Sequence, residues 1–534
     1  MRPQSLVIEA AFLIALIAPL SIAADNNAMT QRLGSGVTIS IPDIGKPASG
    51  VTYQWPLELT DDQQTPVSPL SLVFEADMPG HGHGLPEPPV VEPGSVAGSF
   101  LVKNIRFNMG GDWRIRVWVG STQGQEPAIF NIRVGPAPTF EHDGLLSQAE
   151  KALIKTLTLD AISPMAPDPT NHFSNNAVAI RLGERMFFDT GLSGSGNVAC
   201  ATCHQPEKSF TDGLPVSRGS AELTRNAPGL LGVRHNHWFY WDGRRDSLWA
   251  QALTPLETRG EMDGTRTDVV RHVVNSEKYG KEFLVLTGQT VTFSSRQRFP
   301  LGAGPFAPER AGRDSWQAMT AIDRERVNTA FADVGKLLAA YQETLSFTST
   351  PFDSFAQGLA EASDTENRQL TEAQYSGLKL YLDAGRTHCL RCHNGPLLTN
   401  QGFHAIGSQT SFIDLGRQLG LDAARVDPFN CTGAYSDSRS DCRLSQLIGI
   451  DAGAFAGAFK VPTLRNLTQT APYFHDGRYA NLEQVIEFYR HPPGPENGNH
   501  ELPPLDLTDD EAQDLIAFLK SLSASEHNHS SIAR

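Results

Sequence analysis

The sequence contains little cysteine, no excess of positive charge and few long apolar runs. Only six cysteines occur among 534 residues, so the position of each one is informative. The formal net charge of −15 argues against nucleic acid or an anionic membrane as a partner, and it is compatible with a basic redox protein or a cationic small molecule. Beyond the N-terminus, no segment has the roughly 20 consecutive apolar residues that a membrane-spanning helix needs. The composition, 40% hydrophobic and 19% charged, is that of a soluble globular protein.

The N-terminus has the features of a secretory signal peptide. An apolar stretch at residues 10–18 follows Arg2 and leads to Ser21 and Ala23, the small residues of a cleavage site. An uncleaved membrane anchor would need a longer apolar run. We therefore expect residues 1–23 to be removed, which leaves a periplasmic protein with no stable membrane span.

Four of the six cysteines lie in two copies of the motif Cys-x-x-Cys-His. The copies are Cys200-Ala201-Thr202-Cys203-His204 and Cys389-Leu390-Arg391-Cys392-His393. Two thiols at this spacing can form thioethers to the vinyl groups of one porphyrin, and the His that follows can ligate the iron. A redox dithiol does not need the trailing His, and zinc would need four ligands assembled from two distant pairs. The motifs therefore predict two covalently bound c-type haems with His204 and His393 as iron ligands.

The remaining two cysteines are close together in the sequence. Cys431 and Cys442 flank a segment rich in Gly, Ser and Asp. In an oxidising compartment we expect a disulfide that closes this short loop. Two free buried thiols are the alternative.

Residues 30–136 have the pattern of a β-domain. Alternating or β-branched stretches at residues 37–41, 70–74, 113–119 and 129–134 are separated by Gly, Pro and Asp. Strands at such spacing favour a small β-sandwich of immunoglobulin-like type. A Gly-Pro-Ala-Pro linker then leads to the rest of the chain.

The predicted β-domain also contains side chains that can bind copper. They are Met78, His81, His83 and Met109. Imidazole together with thioether suits copper, particularly Cu(I). Histidines in a Gly-rich turn are also ordinary exposed residues, so both interpretations stay open.

The rest of the chain is predicted to be mainly helical. Ser147, Thr371 and Thr508 each open a Ser/Thr-x-x-Glu/Gln capping box that precedes an amphipathic stretch. We predict two c-type cytochrome domains, at residues 143–345 and 346–524, each with one haem motif. Residues 525–534 form a polar tail.

Residues 147–522 resemble the bacterial di-haem cytochrome c peroxidase family, and within it the MauG-like branch. The stretches that carry the resemblance are Leu-Gly-Glu-Arg-Met-Phe-Phe-Asp at 182–189, Arg-Asn-Ala-Pro at 225–228, Trp-Asp-Gly-Arg at 241–244, Phe-Lys-Val-Pro-Thr-Leu-Arg-Asn at 459–466 and Ala-Pro-Tyr-Phe-His-Asp-Gly at 471–477. The β-domain is similar to the YtkA-like domains of exported proteins.

The resemblance implies that the two haems have different tasks. In the family's peroxidases that need prior reduction, a distal His shortly after the first proximal His blocks that iron at rest. Residues 217–223 occupy this stretch here and contain no His. The first haem is therefore expected to keep an open coordination position for hydrogen peroxide, as in the MauG-like branch.

Three residues match family positions around the first haem. Gln251 and Glu261, ten residues apart, match the pair that handles the proton during O–O cleavage. Trp241 matches the indole that the family places between the haems. From the residues alone, Glu261 would equally fit a solvated loop carboxylate, and Trp241 a core side chain packed with Trp238.

The family also holds a calcium ion between the haems, and the resemblance implies its ligands. An Asn side chain and backbone carbonyls bind the ion there, and Asn226, Thr470 and Pro472 occupy the matching positions. Oxygen ligands of this kind suit a hard cation.

The distal ligand of the second haem distinguishes the branches of the family. It is a Met in the di-haem peroxidases and a Tyr in MauG. In the family this ligand lies fourteen residues after the His of the Phe-His-Asp-Gly stretch, and the same distance from His475 gives Tyr489. Tyr489 shares one predicted helix face with Leu482, Val485 and Ile486, a pattern that also fits a Tyr packed in a core. A phenolate favours ferric and higher states, so the second haem would store an oxidising equivalent.

The sequence leads to three candidate functions, two of them enzymatic and one of another class. The first is a peroxidase that reduces hydrogen peroxide with electrons from a small cytochrome or cupredoxin. The second is a MauG-like enzyme that uses peroxide to oxidise Trp or Tyr residues of a partner protein. The alternative is a non-catalytic di-haem electron carrier or a copper-responsive binding protein.

Overall fold

The computed structural model describes two long parts of the chain. They are residues 28–135, apart from 43, 50–51, 70–71, 79–82, 86–88, 108–109 and 121–125, and residues 146–524, apart from 163, 360–368, 384, 408–413, 440–441, 448 and 494–501. The expected signal peptide, most of the expected linker and the polar tail lie outside the described residues. Within the described parts, every helix is too short or too polar to cross a membrane.

The N-terminal part consists of two antiparallel sheets. The strands are β1 (Met29–Arg32), β2 (Thr38–Ile41), β3 (Thr52–Thr60), β4 (Leu72–Met78), β5 (His83–Gly84), β6 (Val90–Pro93), β7 (Ser99–Arg106), β8 (Gly111–Val119) and β9 (Ala128–Val134). One sheet has the order β1-β2-β3-β7-β6, and the other has the order β5-β4-β8-β9. The predicted β-rich region is confirmed, and each of the four predicted stretches overlaps a strand.

The two sheets share one apolar core. Along β9, buried and exposed side chains alternate, as a strand with one face on a core requires. Trp55 of β3 and Trp113 of β8 both contact Phe107, with ring centroids 5.6 and 5.0 Å apart respectively. Burial of a large apolar side chain contributes about 1.5–3 kcal/mol, so this aromatic cluster holds the sheets together.

The second part is mainly helical. Its elements are α1 (Gln148–Thr156), α2 (Ala177–Phe187), α3 (Cys200–Cys203), α4 (Leu248–Glu257), α5 (Arg266–Asn275), α6 (Gly280–Thr287), α7 (Arg310–Ala318), α8 (Ala321–Gln342), α9 (Pro351–Gly358), α10 (Glu372–Leu382), α11 (Cys389–Cys392), β10 (Phe403–His404), α12 (Arg417–Val426), α13 (Arg443–Gln446), β11 (Phe459–Lys460), α14 (Leu482–Arg490) and α15 (Asp509–Ser521). The three predicted capping boxes are all present, at the starts of α1, α10 and α15.

Two large hydrophobic clusters form most of the core of the helical part. The first contains buried residues of α2, α4, α5 and α8, and the second contains those of α9, α10, α14 and α15. Helix α1 packs in the second cluster, although it lies in the interval predicted for the first cytochrome domain. A buried ion pair of 2.6 Å between Glu150 of α1 and Lys379 of α10 fixes this position.

Candidate functional site

The first Cys-x-x-Cys-His motif forms a short helix whose last residue precedes a well-anchored His. Helix α3 begins at Cys200 and ends at Cys203, and His204 is its C-terminal cap. The Nδ1 atom of His204 lies 2.9 Å from the carbonyl oxygen of Phe210. Burial lowers the pKa of His204, so the neutral ring donates through Nδ1 and keeps a lone pair on Nε2. This is how proteins orient an imidazole that ligates a metal.

The second motif repeats this arrangement. Helix α11 begins at Cys389 and ends at Cys392. The Nδ1 atom of His393 lies 3.0 Å from the carbonyl oxygen of Leu398. Burial lowers the pKa of His393 to about 4. The Tyr381 hydroxyl donates a hydrogen bond to the backbone carbonyl of His393, which also helps to hold the residue.

Both proximal histidines line one cavity of about 330 Å³. Two thiols and one neutral imidazole at each motif are the donor set of a c-type haem. The cavity wall also carries buried polar atoms that have no partner among the described residues, namely the Gln401 Oε1, Asn466 Nδ2 and His475 Nε2 atoms. Buried polar atoms normally have a partner, so the lining fits an occupant that is apolar at its centre and polar at its edge, as a haem is.

Glu261 lies beside the first motif. Burial raises the pKa of Cys200 to about 12 and that of Cys203 to about 11, and the nearby Glu261 carboxylate adds to both shifts. Burial also raises the pKa of Glu261 itself, while Arg244 and Arg245 oppose that shift. The carboxylate is thus half-buried beside the first attachment site, and the solvated-loop interpretation does not describe its position.

The loop where a blocking His would be expected packs directly on the Glu261 segment. The backbone N–H of Ser220 donates to the carbonyl oxygen of Glu261 at 2.8 Å, and that of Ala221 donates to the carbonyl oxygen of Gly260 at 3.0 Å. A Cβ atom on Gly219 would lie 2.5 Å from the Glu261 carbonyl oxygen, so the close approach requires glycine. The loop therefore holds the backbone of Glu261 in place.

Gln251 enters the site from α4. Ser247 caps this helix, and Gln251 lies one turn later on the cavity wall. Its carbonyl oxygen accepts a hydrogen bond of 3.4 Å from the hydroxyl of Tyr240. The guanidinium of Arg244 stands 3.5 Å above the Tyr240 ring. Sequence reasoning did not single out Tyr240 or Arg244 as site residues, although Arg244 belongs to a stretch that resembles the family.

Trp241 lies on the cavity wall together with both proximal histidines. Its indole N–H donates to the carbonyl oxygen of Asn226 at 2.9 Å. Trp238 instead lies in a separate buried cluster, under the guanidinium of Arg417 at 4.0 Å. The two tryptophans thus have different environments, and only Trp241 faces the cavity.

Tyr489 lies next to the second motif. Leu482, Val485, Ile486 and Tyr489 all line the cavity from α14, as the helical pattern predicted. Burial raises the pKa of the Tyr489 phenol, and the thiols of the second motif add to the shift. The phenol is therefore close to the place where the second haem would be attached.

Comparison with known proteins decides the family. The sequence model of the di-haem cytochrome c peroxidase family matches residues 177–361. Cytochrome-c peroxidase IdrP2 from Denitromonas iodatirespirans is 31% identical over 359 residues, which cover 66% of this chain and 84% of that protein. The chain belongs to the di-haem cytochrome c peroxidase family. Methylamine utilization protein MauG from Methylorubrum extorquens is 30% identical over 350 residues, which cover 65% of this chain and 78% of that protein.

Family membership establishes the general chemistry. The chain is a di-haem oxidoreductase of the peroxidase and MauG type, and the family implies two haems and hydrogen peroxide as the oxidant. A solved structure shares the fold. It is a variant of the diheme peroxidase BthA from Burkholderia thailandensis, 18% identical, with a TM-score of 0.50 over 82% of this chain and 96% of that chain.

The residues that match the family's calcium site lie together. Asn226, Thr470 and Pro472 all line the cavity. The side-chain nitrogen of Asn226 donates to the carbonyl oxygen of Leu214 at 2.8 Å, and its backbone N–H donates to the carbonyl oxygen of His475 at 2.9 Å. The amide oxygen of Asn226 remains as the atom that a hard cation would use.

The predicted disulfide is present. Cys431 and Cys442 are bonded, with Cα atoms 5.5 Å apart. The backbone N–H of Cys431 donates to the carboxylate of Asp246 at 2.8 Å, and burial raises the pKa of Asp246 to about 6. The neighbouring Arg245 forms an ion pair of 2.8 Å with Asp427. The disulfide loop therefore anchors the segment that places Arg245 near Glu261.

Of the residues predicted to bind copper, the structure describes Met78 and His83. The Met78 side chain is buried in the core of the sheets. His83 pairs with Met78 across β4 and β5 through the backbone. His81 and Met109 lie outside the described residues. Copper binding by this family member stays a prediction.

Two covalent haems are expected on the mature chain of this family member. The mass of the denatured protein should exceed that of the processed polypeptide by two haem masses. Cys200→Ala and Cys389→Ala should each impair or abolish attachment at their own motif, because each thiol supplies one covalent link. Mass spectrometry of the intact chain checks this. Wild-type protein with a single haem, produced with a competent maturation system, would contradict it.

Proposed function

We propose that this chain is an exported, periplasmic enzyme that activates hydrogen peroxide at its first haem and shares the oxidising equivalents with its second. When bound, the haems would supply the redox-active iron, held by His204 and His393. The observation that supports this best is the position of Glu261, half-buried beside the first motif and supported by a loop that contains no His. An open first site with an acid–base group fits peroxide activation.

Glu261 is proposed to move the proton. As a base, its carboxylate would take the proton from one oxygen of peroxide, and as an acid it would return that proton to the other oxygen, so that the O–O bond breaks and water leaves. The bound haems would supply the two electrons that this cleavage needs. The raised pKa of Glu261 suits both steps. Gln251 orients the peroxide from α4. Arg244 and Arg245 oppose the rise of the Glu261 pKa, which favours the ionised form that acts as the base.

Tyr489 and Trp241 are proposed to make the second site an oxidising store. The phenol of Tyr489 would lose its proton on ligation, and an anionic ligand stabilises higher oxidation states of iron. Trp241 lies on the wall that both sites share. Its indole would carry charge between the two sites. A calcium ion bound by Asn226 and the carbonyls of Thr470 and Pro472 would hold this region in place.

The finer domain organisation is part of the proposal. The two-sheet region would be an immunoglobulin-like, YtkA-like domain at residues 30–136, followed by cytochrome domains at 143–345 and 346–524. The shared core of the two sheets supports the first of these domains, and the two helical clusters support the other two, except that α1 packs in the second cluster.

The substrate is proposed to be a protein with an oxidisable Trp or Tyr. Tyr489 in place of a Met thioether favours this MauG-like role over a peroxidase fed by a small cytochrome or cupredoxin. The test adds one equivalent of peroxide to the diferric protein and follows the optical spectrum with and without donors. A long-lived oxidised state at both haems is expected. Six-coordinate spectra at both haems without any reaction would support a non-catalytic electron carrier instead.

A further inference from the structure

Lys460 lies on the segment that joins Trp241 to the second proximal His. Its backbone N–H donates to the carbonyl oxygen of Trp241 at 2.8 Å. Two residues later, the backbone carbonyl of Pro462 faces the ring of His393. Strand β11, which carries Lys460, pairs with β10 at Phe403 and His404. The Lys460 side chain itself lines the cavity.

The ammonium of Lys460 has no carboxylate partner among the described residues. Two lysines are fully buried in those parts of the chain, and both are paired, Lys379 with Glu150 at 2.6 Å and Lys336 with Asp437 at 2.7 Å, whereas the half-buried Lys460 is not. For Lys460, burial alone lowers the pKa to about 8, and no nearby acid opposes the shift. A cation that is partly removed from water without a counter-charge is unfavourable, so proteins normally pair it.

The groups around Lys460 increase the positive charge. Burial lowers the pKa of His237 to about 3, and the charges of Arg443 and Lys460 contribute to this shift. Arg443 contacts the Nε2 atom of His237 at 3.2 Å. The described side chains supply no counter-anion for Lys460, and the Lys460 side chain lines the cavity, so an anionic group of the cavity's occupant is the partner that fits. The carboxylates of a c-type haem meet this requirement, because the thioether links use only its vinyl groups.

We propose that Lys460 is a positioning residue that binds a propionate of the second haem beside Trp241 and raises the reduction potential of that haem. The proposal rests on haem attachment at Cys389 and Cys392. A fixed positive charge stabilises the ferrous state, which carries one negative charge more than the ferric state. It therefore makes the second haem easier to reduce, and it opposes the effect of an anionic Tyr489. Lys460 would thus influence how an oxidising equivalent is divided between the two haems, which exchange it through Trp241.

The test uses holoprotein variants of Lys460. Lys460→Met and Lys460→Gln remove the charge, and Lys460→Arg keeps it. Lys520→Met is the matched control, because Lys520 is an exposed lysine in the same half of the chain, with 51% of its side chain accessible. Intact mass is measured first, so that loss of a haem is recognised as failure of the attachment proposal. Spectroelectrochemistry then gives the potential of each haem, and resonance Raman spectra report the propionate-bending band.

Charge removal should lower the equilibrium constant for reduction of the second haem about tenfold, which corresponds to about 59 mV for one electron. The propionate band should shift in both neutral variants. Lys460→Arg should keep the wild-type potential, and so should Lys520→Met. Unchanged potential and Raman band in a neutral variant that retains both haems would overturn the proposal. An equal shift in Lys520→Met would also overturn it, because it would show a general surface-charge effect.

Discussion

Replacing Glu261 with Gln should leave both haems attached and slow peroxide activation by about 10²–10⁴-fold, the usual contribution of one acid–base group. Gln has nearly the same shape as Glu but cannot accept and return a proton at neutral pH. The packing of residues 217–223 on the Glu261 backbone does not use the carboxylate. The substitution should therefore remove proton transfer and leave the loop in place.

The pH dependence gives a second readout for Glu261. Burial raises the pKa of Glu261 above its ordinary value of 4.5, and the first step needs the ionised form. The rate of peroxide activation should therefore be full above this raised pKa and fall as the pH drops through it. This fall in rate at low pH, the acid limb of the pH profile, should be absent in Glu261→Gln.

Stopped-flow spectroscopy with the diferric protein measures both effects. Glu222→Gln is the control, because Glu222 is an exposed carboxylate on the facing loop. It should react at the wild-type rate and keep the acid limb. Wild-type rates in Glu261→Gln would remove this residue from the mechanism and leave Gln251 and the arginines to account for activation.

Local features of this protein could be predicted from its sequence. The two haem motifs and the three capping boxes depend on residues within five positions of one another, so their geometry follows from spacing alone. The inward face of α14 was predictable for the same reason. The disulfide followed from composition, compartment and the short loop between its cysteines.

Strand β3 was missed for a physical reason. Its inward residues Trp55, Leu57 and Leu59 alternate with exposed ones, but Pro56 lies in the middle and argues against a paired strand. In the structure, Pro56 is exposed and is aligned with Leu101 of β7. The alternation of apolar and polar residues is present in the sequence, but a proline in its middle argues against a strand.

Long-range charge pairing could not be predicted. The ion pair between Glu150 and Lys379 joins residues that are 229 positions apart, and nothing in either local pattern indicates it. The same holds for Lys460, whose importance comes from the absence of a described partner. The position of Arg244 over Tyr240 also appears only when the chain is folded. Sequence patterns gave the attachment residues, and the folded structure gave their electrostatic surroundings.

Replacing Tyr489 with Phe should change the spectrum of the second haem and raise its reduction potential. The phenol lies near Cys389 and Cys392, inside the cavity, where its charged form is unfavourable unless something stabilises it. Ligation to ferric iron would supply that stabilisation and make the phenolate the axial ligand. Phe fills the same space but has no oxygen, so the iron would lose this ligand.

Tyr489→Met extends the test to ligand type. A thioether is neutral and favours ferrous iron, so the second haem of this variant should have a higher potential than the wild type. In both variants, peroxide should still reach the first site, because Glu261 and Gln251 are unchanged. The oxidised state shared by the two haems should be short-lived, since an uncharged ligand stabilises it less.

Tyr479→Phe is the control for these measurements. Tyr479 is a neighbouring, partly exposed tyrosine whose ring lies 5.6 Å from that of Phe488, so its loss perturbs the same aromatic cluster without removing the proposed ligand. Spectra and potential of the second haem should remain those of the wild type. If Tyr489→Phe also leaves both unchanged, Tyr489 is a packed core residue. The second haem would then lack an anionic ligand, and the proposed storage of an oxidising equivalent there would fail with it.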